Sequence, residues 1–204
     1  PYIVNIDTVN NLSPVEGKII MSNLCSEIMQ VQTPSVINDA QEYVKLGTDI
    51  SCNLGSTNIV NMMKSPDFEK SVEIAVRALT FVTDHSDVEA VPTVKHGNDI
   101  AHTIGLGAMG LHTFFALNAM EYGDEESIEF TDMYFRLLNY YSLKASNKIA
   151  KERSVSFNNF ENSKYATGEY FDAYIKEDFN IKSDKVRNLF ADIHIPSRKD
   201  WEEL

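Results

Sequence analysis

The sequence predicts an α/β fold, because short extended segments alternate with amphipathic helical segments along the whole chain. The 204 residues are 43% hydrophobic and 24% charged, which supplies enough apolar material for one full-sized core. The sequence shows no internal repeat, low-complexity tract or flexible linker. Strands interleaved with helices in one continuous chain are typical of a single α/β unit.

The first part of the chain is predicted to be extended. Residues 2–7 and 17–31 are rich in β-branched and apolar residues, and the turn-forming stretch NNLSPVEG lies between them. A third extended segment is predicted in DISCNLGSTNIV, residues 49–60.

Two helices follow from capping signals and apolar spacing. The first is predicted to begin with Ser65 as the N-cap and Pro66 at the first helical position. Its apolar residues at helical spacing are Val72, Ala75, Val76, Leu79 and Val82. The second is a long helix from about Glu125 to Arg153. Its predicted buried stripe consists of Tyr134, Leu138, Tyr141, Ala145 and Ile149.

The remaining elements are shorter. Residues 100–115 are predicted to run from an extended piece through a glycine-rich turn into a helix, and the last fifty residues are predicted to be irregular, with short helices and an extended piece near Ile193. The final SRKDWEEL predicts a helix capped by Ser197, with Asp200 at the capping-box position and Trp201 on the apolar face. Because an isolated turn of helix is unstable, and because the chain begins without methionine, we expect a segment of a longer protein.

Composition excludes several classes of protein. A formal charge of −12 and a pI near 4.8 disfavour nucleic acid and anionic membrane surfaces as partners. The sequence has no apolar run long enough for a membrane span and no signal-peptide pattern. Two cysteines are too few for a disulfide scaffold, so we expect a cytoplasmic protein in which any cysteine chemistry is catalytic or redox.

The stretch GLGAMG, residues 105–110, satisfies the dinucleotide-binding pattern G-x-G-x-x-G. A nucleotide site also needs an acidic residue about twenty positions later at the end of a second strand. Here the acids at that distance, residues 124–126, open the long helix. The glycines are therefore predicted to let a helix pack close to a strand.

The histidines and the tyrosine pair favour structural roles. His96, His102 and His112 have no further ligands at metal-binding spacing, so they are predicted to be packed or solvated, with no metal bound. Tyr140 and Tyr141 lie on the predicted long helix, where an aromatic pair indicates packing rather than electron transfer.

The stretch SNLCSE contains the residues whose side chains are best suited to catalysis. In an extended segment Asn23, Cys25 and Glu27 share one face. A thiol, a carboxylate that can remove a hydroxyl proton and an amide that can hold a second hydroxyl suit a substrate with neighbouring hydroxyls, such as a ribose. Spacing alone is also compatible with a strand whose polar face is solvated and has no catalytic role. Cys52, taken alone, is predicted to be a small buried hydrophobe.

Several blocks, in this order, identify a family resemblance: IIMSNLCSEIMQV, DISCNLGSTNIVN, KHGNDIAHTIGLGAMGLHTFFA, LLNYYSLKASNKIAKE and FENSKYATGEYFDAY. Together they resemble the catalytic large subunit of class I ribonucleotide reductase, most closely class Ib, over essentially the whole chain. The resemblance implies part of a ten-stranded α/β barrel that reduces ribonucleoside diphosphates to deoxyribonucleotides for DNA replication. It also implies that residues 1–204 are a single segment of the catalytic barrel domain, without the N-terminal part that holds the effector sites and the first half of the barrel, and without the C-terminal parts.

The resemblance implies roles for five residues. Cys25 resembles the cysteine that becomes a thiyl radical and takes the ribose 3′ hydrogen, on a loop thrust into the barrel. Glu27 resembles the general base on the 3′ hydroxyl, and Asn23 the amide that binds the substrate hydroxyls; Ser22 is predicted to bind substrate beside them. Cys52 resembles one of two cysteines that supply reducing equivalents and end as a disulfide.

The family also implies partners that this segment would need. These are the remaining segments of the large subunit, a small subunit with a tyrosyl radical beside a dimanganese or di-iron centre, a thioredoxin- or glutaredoxin-like reductant and a ribonucleoside diphosphate. Since the partner of Cys52 and the radical relay lie outside the chain, the isolated chain is expected to be inactive. Two alternatives stay open: a non-catalytic module that only binds other reductase chains, and a structural Cys25–Cys52 disulfide.

Overall fold

The computed structural model describes residues 3–86, 88–176 and 179–204, which form two compact units. The first unit takes in residues 1–53, 80–104 and 156–170, and the second takes in residues 54–79, 105–155 and 171–204. Each unit is built from separate stretches of the chain, so residues far apart in sequence share one unit.

The chain combines helices with short strands, as expected for an α/β protein. The helices are α1 (Ile6–Leu12), α2 (Ile59–Met62), α3 (Phe68–His85), α4 (Pro92–Ala101), α5 (Leu111–Leu117), α6 (Glu125–Arg153), α7 (Lys164–Thr167), α8 (Asp172–Ile175), α9 (Asp184–Leu189) and α10 (Arg198–Glu202). The strands are β1 (Val36–Ile37), β2 (Tyr43–Lys45), β3 (Leu54–Asn58) and β4 (Gly105–Met109). Two short 3-10 helices lie at Phe160–Asn162 and Glu169–Phe171.

The strands form two separate pairs. In the first unit β1 and β2 pair antiparallel, and in the second unit β3 and β4 pair parallel, from Leu54 opposite Gly105 to Asn58 opposite Met109. Strand β3 confirms an extended segment within residues 49–60. The GLGAMG stretch is itself strand β4 rather than a turn, and Gly110, at φ 82°, makes the left-handed turn into α5.

Three extended segments were predicted incorrectly. Ile6 and Asp7 begin α1, because the side chain of Asn5 accepts a hydrogen bond from the backbone N–H of Thr8 and caps the helix; Pro1 and Tyr2 lie outside the described residues. Residues 17–31, all of which are described, form no strand and contain a turn. Around Ile193 the chain turns instead of extending, with a backbone hydrogen bond from Ile193 to Phe190.

Helix α6 carries the core of the second unit. Phe130, Met133, Tyr134 and Leu137 are fully buried along it, at 0% exposure. The predicted stripe is confirmed, since all five of its members are buried: Tyr134, Leu138, Tyr141, Ala145 and Ile149. Apolar residues that recur every three or four positions along α6 therefore form the core of this unit.

Helix α3 begins two residues later than the sequence predicts. Asp67 is the effective cap, because its carboxylate accepts a hydrogen bond from the backbone N–H of Lys70 at 2.8 Å. Ser65 instead forms a turn by accepting from the Asp67 N–H. Of the predicted apolar face, Val72, Val76 and Leu79 are buried, Ala75 is half-buried and Val82 is exposed.

The chain ends in the predicted capped helix. Ser197 and Asp200 form a complete capping box at the start of α10, and Trp201 is 1% exposed. The indole of Trp201 stacks on Tyr174 with ring centroids 4.0 Å apart. This helix is short but is held by aromatic packing within the second unit.

An ion-pair cluster joins α3 to α6. Glu73 accepts hydrogen bonds from Lys148 at 2.9 Å and from Arg77 at 2.8 Å, and Arg77 binds both carboxylate oxygens of Glu152. The hydrogen bond from Lys148 and then that from Arg77 lower the pKa of Glu73 from 4.5 to about 2, against the opposing effect of burial. A carboxylate with a depressed pKa stabilises the folded chain above pH 4.5 and loses that contribution as the pH falls toward 2.

We expect Glu73→Gln to lower the melting temperature at neutral pH, and the difference from wild type to shrink as the pH falls below about 4.5. The measurement is thermal unfolding by circular dichroism at a series of pH values. Glu69→Gln is the matched control, because Glu69 joins the same two helices through a single pair with Lys144. If the difference in melting temperature between wild type and Glu73→Gln stayed constant across the acid range, it would contradict the expectation.

The first unit is held mainly by polar groups. Among its described residues, the buried apolar side chains are those of Ile19 and Ile28. Its buried polar side chains are those of Asn53, Thr83, Thr93, Asn98 and Ser163. Because burial of apolar area is the main favourable term in folding, this unit has less intrinsic stability than the second.

The same contrast predicts uneven amide hydrogen exchange. We expect backbone amides in α4, in the first unit, to exchange with solvent faster than those in the buried stretch 130–149 of α6. Hydrogen-exchange mass spectrometry on the complete 204-residue chain measures both helices in one sample. Equal protection of α4 and α6 would show that the polar interior is as stable as the apolar one.

Candidate functional site

The SNLCSE stretch forms a turn in the first unit. The backbone N–H of Ser26 donates to the carbonyl of Asn23 at 3.1 Å, and Ser26 has a left-handed φ of 72°. Cys25 therefore lies within the turn and its side chain is exposed. The shared strand face predicted from spacing is wrong, because the backbone reverses direction between Asn23 and Glu27 instead of extending.

The turn nevertheless brings the predicted polar residues together around the Asn23 carboxamide. Asn23 Nδ2 donates to Glu27 Oε1 at 2.7 Å, and Asn23 Oδ1 accepts from the backbone N–H of Ile28 at 3.0 Å. Ser22 Oγ lies 3.3 Å from Asn23 Oδ1 and donates to the Ile28 carbonyl at 2.9 Å. Ser22, Asn23 and Glu27 thus form one hydrogen-bonded cluster.

Cys52 joins this cluster from a distant part of the chain. Asn23 Nδ2 lies 3.8 Å from Cys52 Sγ, within hydrogen-bond range for sulfur. Cys52 is exposed, so its interpretation as a small buried hydrophobe is wrong. The amide of Asn23 therefore contacts both the Glu27 carboxylate and the Cys52 thiol.

Cys25 stands apart from these contacts. Its thiol has no hydrogen-bond partner among the described residues, although it lies between the two polar residues of the turn in sequence. Both cysteines are free thiols, so a Cys25–Cys52 structural disulfide is wrong for this structure. An exposed thiol beside a carboxylate and an amide is open to a substrate.

A network around Asn98, absent from the sequence predictions, supports the segment that carries Cys52. Asn98 Oδ1 accepts from Ser51 Oγ at 2.8 Å and from Asn53 Nδ2 at 3.1 Å. Asn98 Nδ2 donates to the Thr83 carbonyl at 2.9 Å. The partners are separated by up to 47 residues, so local spacing gives no signal for the network.

Helix α4 also approaches this segment closely. A Cβ at Gly97 would lie 1.9 Å from the carbonyl oxygen of Asp49, so only glycine permits the approach. Thr93 Oγ1 donates to the Asp49 carboxylate at 2.6 Å, and the Asp49 N–H donates to the Thr93 carbonyl at 3.2 Å. The helix therefore contacts the segment at Asp49, Ser51 and Asn53.

The histidines lie where packing and solvent explain them. His96 is half-buried, His112 is exposed, and His102 ends α4 with a left-handed φ of 47° and lies 3.5 Å from Asp84. The described part of the chain contains no group of three or more His, Cys, Asp or Glu side chains that could hold a metal ion. None of the helices in the described ranges is long and apolar enough to cross a membrane.

The tyrosine pair is buried in the second unit, which confirms packing. Tyr140 and Tyr141 are 5% and 3% exposed, and their ring centroids lie 5.2 Å apart in an edge-to-face arrangement. The Tyr141 hydroxyl donates to the His194 carbonyl at 2.7 Å. Burial raises the pKa of Tyr140 to about 12, so its phenol stays protonated at neutral pH.

Comparison with known proteins identifies the family of the chain. The family model described as "Ribonucleotide reductase, barrel domain" matches residues 1–204. The chain is 43% identical over 206 residues to the ribonucleoside-diphosphate reductase subunit alpha of Bacillus subtilis, covering 100% of this chain and 29% of that protein. It is 44% identical over 210 residues to the subunit of the same name from Mycoplasma pneumoniae, again with 100% and 29% covered.

A phage protein is also similar. The ribonucleoside-diphosphate reductase nrdEB subunit alpha of Bacillus phage SPbeta is 41% identical over 185 residues, covering 91% of this chain and 17% of that protein. The chain thus spans less than a third of the length of these relatives. The match over every residue confirms the predicted α/β barrel class, and the chain belongs to the ribonucleotide reductase barrel-domain family.

Proposed function

We propose that this chain is the catalytic segment of a ribonucleoside-diphosphate reductase, active when the rest of the large subunit completes it. The observation that carries the proposal is the Asn23 carboxamide, which contacts Glu27 at 2.7 Å and Cys52 at 3.8 Å beside the exposed thiol of Cys25. The relatives named ribonucleoside-diphosphate reductase subunit alpha support the reaction.

In the proposed reaction the Cys25 sulfur, as a thiyl radical, takes the hydrogen atom from ribose C3′, so an S–H bond forms while a C–H bond breaks. The two bonds are close in strength, which makes the transfer reversible. Glu27 takes the proton of the 3′ hydroxyl, and Asn23 holds the neighbouring hydroxyl. The 2′ hydroxyl then takes up a proton and leaves as water.

The reduction needs two electrons and two protons, which Cys52 and a second thiol provide when they form a disulfide. One proton leaves with the 2′ hydroxyl as water, the other bonds to C2′ with the two electrons, and Glu27 returns its proton to the 3′ oxygen. Cys25 then returns a hydrogen atom to C3′ and becomes a radical again. Since the chain has two cysteines and Cys25 carries the radical, the partner of Cys52 comes from another segment. Ser22 helps to bind the substrate through its contact with Asn23.

The proposal implies several partners. The whole of residues 1–204 acts as one segment of the barrel domain, beside the other segments of the large subunit. A radical-generating small subunit with a tyrosyl radical and a dimanganese or di-iron centre supplies the radical, and a thioredoxin- or glutaredoxin-like protein reduces the disulfide. The cytoplasm, which keeps thiols reduced, is the compartment that suits this chemistry.

A second candidate is a module that only binds other reductase chains. One observation favours it, namely that the chain holds Cys52 without a second reducing thiol. A chimeric subunit distinguishes the two functions. In it, residues 1–204 replace the matching segment of the Bacillus subtilis relative, to which they are 43% identical.

In this chimera we expect Cys25→Ala to lower deoxyribonucleotide formation by about 10³-fold or more, because no other group of the turn can carry the radical. The assay measures product from a ribonucleoside diphosphate with the Bacillus small subunit and dithiothreitol. Leu24→Ala, which changes the exposed neighbour in the same turn, is the control. Product formation by the Cys25→Ala chimera at the unsubstituted rate would support the binding module.

We expect Cys52→Ser to act differently, because it removes a reducing thiol and leaves the radical site in place. The substituted chimera should lose multiple turnover but still exchange the ribose 3′ hydrogen, which is measured as tritium release from a 3′-labelled diphosphate. The Cys25→Ala chimera is the matched control and should release none. Multiple turnover by Cys52→Ser would remove Cys52 from the proposed mechanism.

A further inference from the structure

The two residues that flank Cys52 point into the interior of the first unit, while Cys52 itself is exposed. Asn53 is 8% exposed and Ser51 is half-buried. Cys52 lies between these two anchored residues, and its exposed side chain meets Asn23 Nδ2 at 3.8 Å.

One side chain holds both flanking residues. Asn98 Oδ1 accepts from Ser51 Oγ at 2.8 Å and from Asn53 Nδ2 at 3.1 Å, so both lone pairs of the oxygen are engaged. Asn53 Nδ2 also lies 3.2 Å from the Thr103 carbonyl, which anchors the same side chain a second time.

Asn98 is itself fixed in position. It is 5% exposed, and its Nδ2 donates to the Thr83 carbonyl at 2.9 Å. Gly97, beside it, lets α4 lie against the Asp49 carbonyl. A buried amide that lost these partners would be left unsatisfied, so the carboxamide has one strongly preferred orientation.

We propose that Asn98 is the positioning residue for Cys52: by binding the side chains on both sides of this cysteine, it sets the thiol against the Asn23 amide. Among the residues that the structure describes, the Asn98 side chain binds Ser51, Asn53 and Thr83 and neither cysteine, so it acts on Cys52 through Ser51 and Asn53. Its importance for catalysis rests on the proposed function, in which Cys52 must reach the same substrate as Glu27.

The consequence is that Asn98, a residue of α4, controls whether the Asn23 amide contacts Cys52 as well as Glu27. With Cys52 in place, one amide of Asn23 meets the thiol while it also donates to Glu27. Without Asn98, the segment through Cys52 loses its inward anchors, and the sulfur no longer has a fixed distance from Asn23. The Asn23–Glu27 hydrogen bond and the turn that carries it remain, because they involve no residue of this network.

Nuclear magnetic resonance on the complete ¹⁵N-labelled chain tests this coupling. In the wild-type background, Cys52→Ser should shift the Asn23 side-chain amide signal by more than its linewidth, since the sulfur next to it is replaced. In the Asn98→Ala background the same change should produce no shift. Thr93→Val is the matched control on α4: it removes a partly buried hydrogen bond to Asp49 without touching Ser51 or Asn53, and the shift should persist.

Two further signals show whether the variants fold. Trp201 is the only tryptophan, so its indole N–H gives a single peak for the second unit. The backbone N–H of Ile28, which donates to Asn23 Oδ1, shows whether the turn is intact. Loss of the Cys52→Ser shift with both signals unchanged supports the proposal, because a general loss of structure would move them too.

The results that would overturn the proposal are also defined. The proposal is overturned if Cys52→Ser still shifts the Asn23 side-chain amide signal in folded Asn98→Ala. It is also overturned if Cys52→Ser does not shift that signal in the wild-type background. If Asn98→Ala does not fold, Ser51→Ala decides: a reduced shift supports the proposal and an unchanged shift overturns it. The measurement uses no substrate or radical, so its failure leaves the proposed reductase activity to be tested separately with Cys25→Ala.

Discussion

Satisfying the buried carboxamide of Asn98 is the constraint on which the position of Cys52 in the first unit depends. The unit buries few apolar side chains, so hydrogen bonds between buried polar groups contribute much of its order. Asn98 joins the end of α3 at Thr83 to the segment of Ser51 and Asn53. A single side chain of α4 thereby connects the end of α3 to the segment that carries Cys52.

The second unit is stabilised in a different way. The buried face of α6 supplies an apolar core centred on Phe130 and Tyr134, and Glu73 joins α3 to α6 through charge-assisted hydrogen bonds. Such a core contributes to stability mainly through the apolar area that it removes from water. The chemistry-bearing residues lie in the first unit, where local rearrangement costs less free energy.

The sequence predicted the helical elements better than the extended ones. Helix α6 and its stripe were predicted correctly because a 3.6-residue apolar period over 29 residues is a strong signal. The β-branched segment of residues 17–31 was predicted incorrectly, since extended conformation needs a pairing partner to become a strand and local composition does not supply one. Ser65 was predicted to cap α3, but Asp67 caps it instead. Both side chains can cap a helix, and Ser65 accepts a hydrogen bond in the preceding turn.

The candidate site shows the same division. By itself the sequence determined the chemical groups, namely the thiols of Cys25 and Cys52, the amide of Asn23 and the carboxylate of Glu27, and the order of its motifs indicated the family. Only the tertiary structure decided that Asn23, 29 residues away in sequence, meets Cys52. It also decided that Asn98 binds the segment that carries Cys52. The physical reason is that hydrogen bonds between distant segments depend on where the chain returns, and local sequence preferences fix only the conformation within each segment.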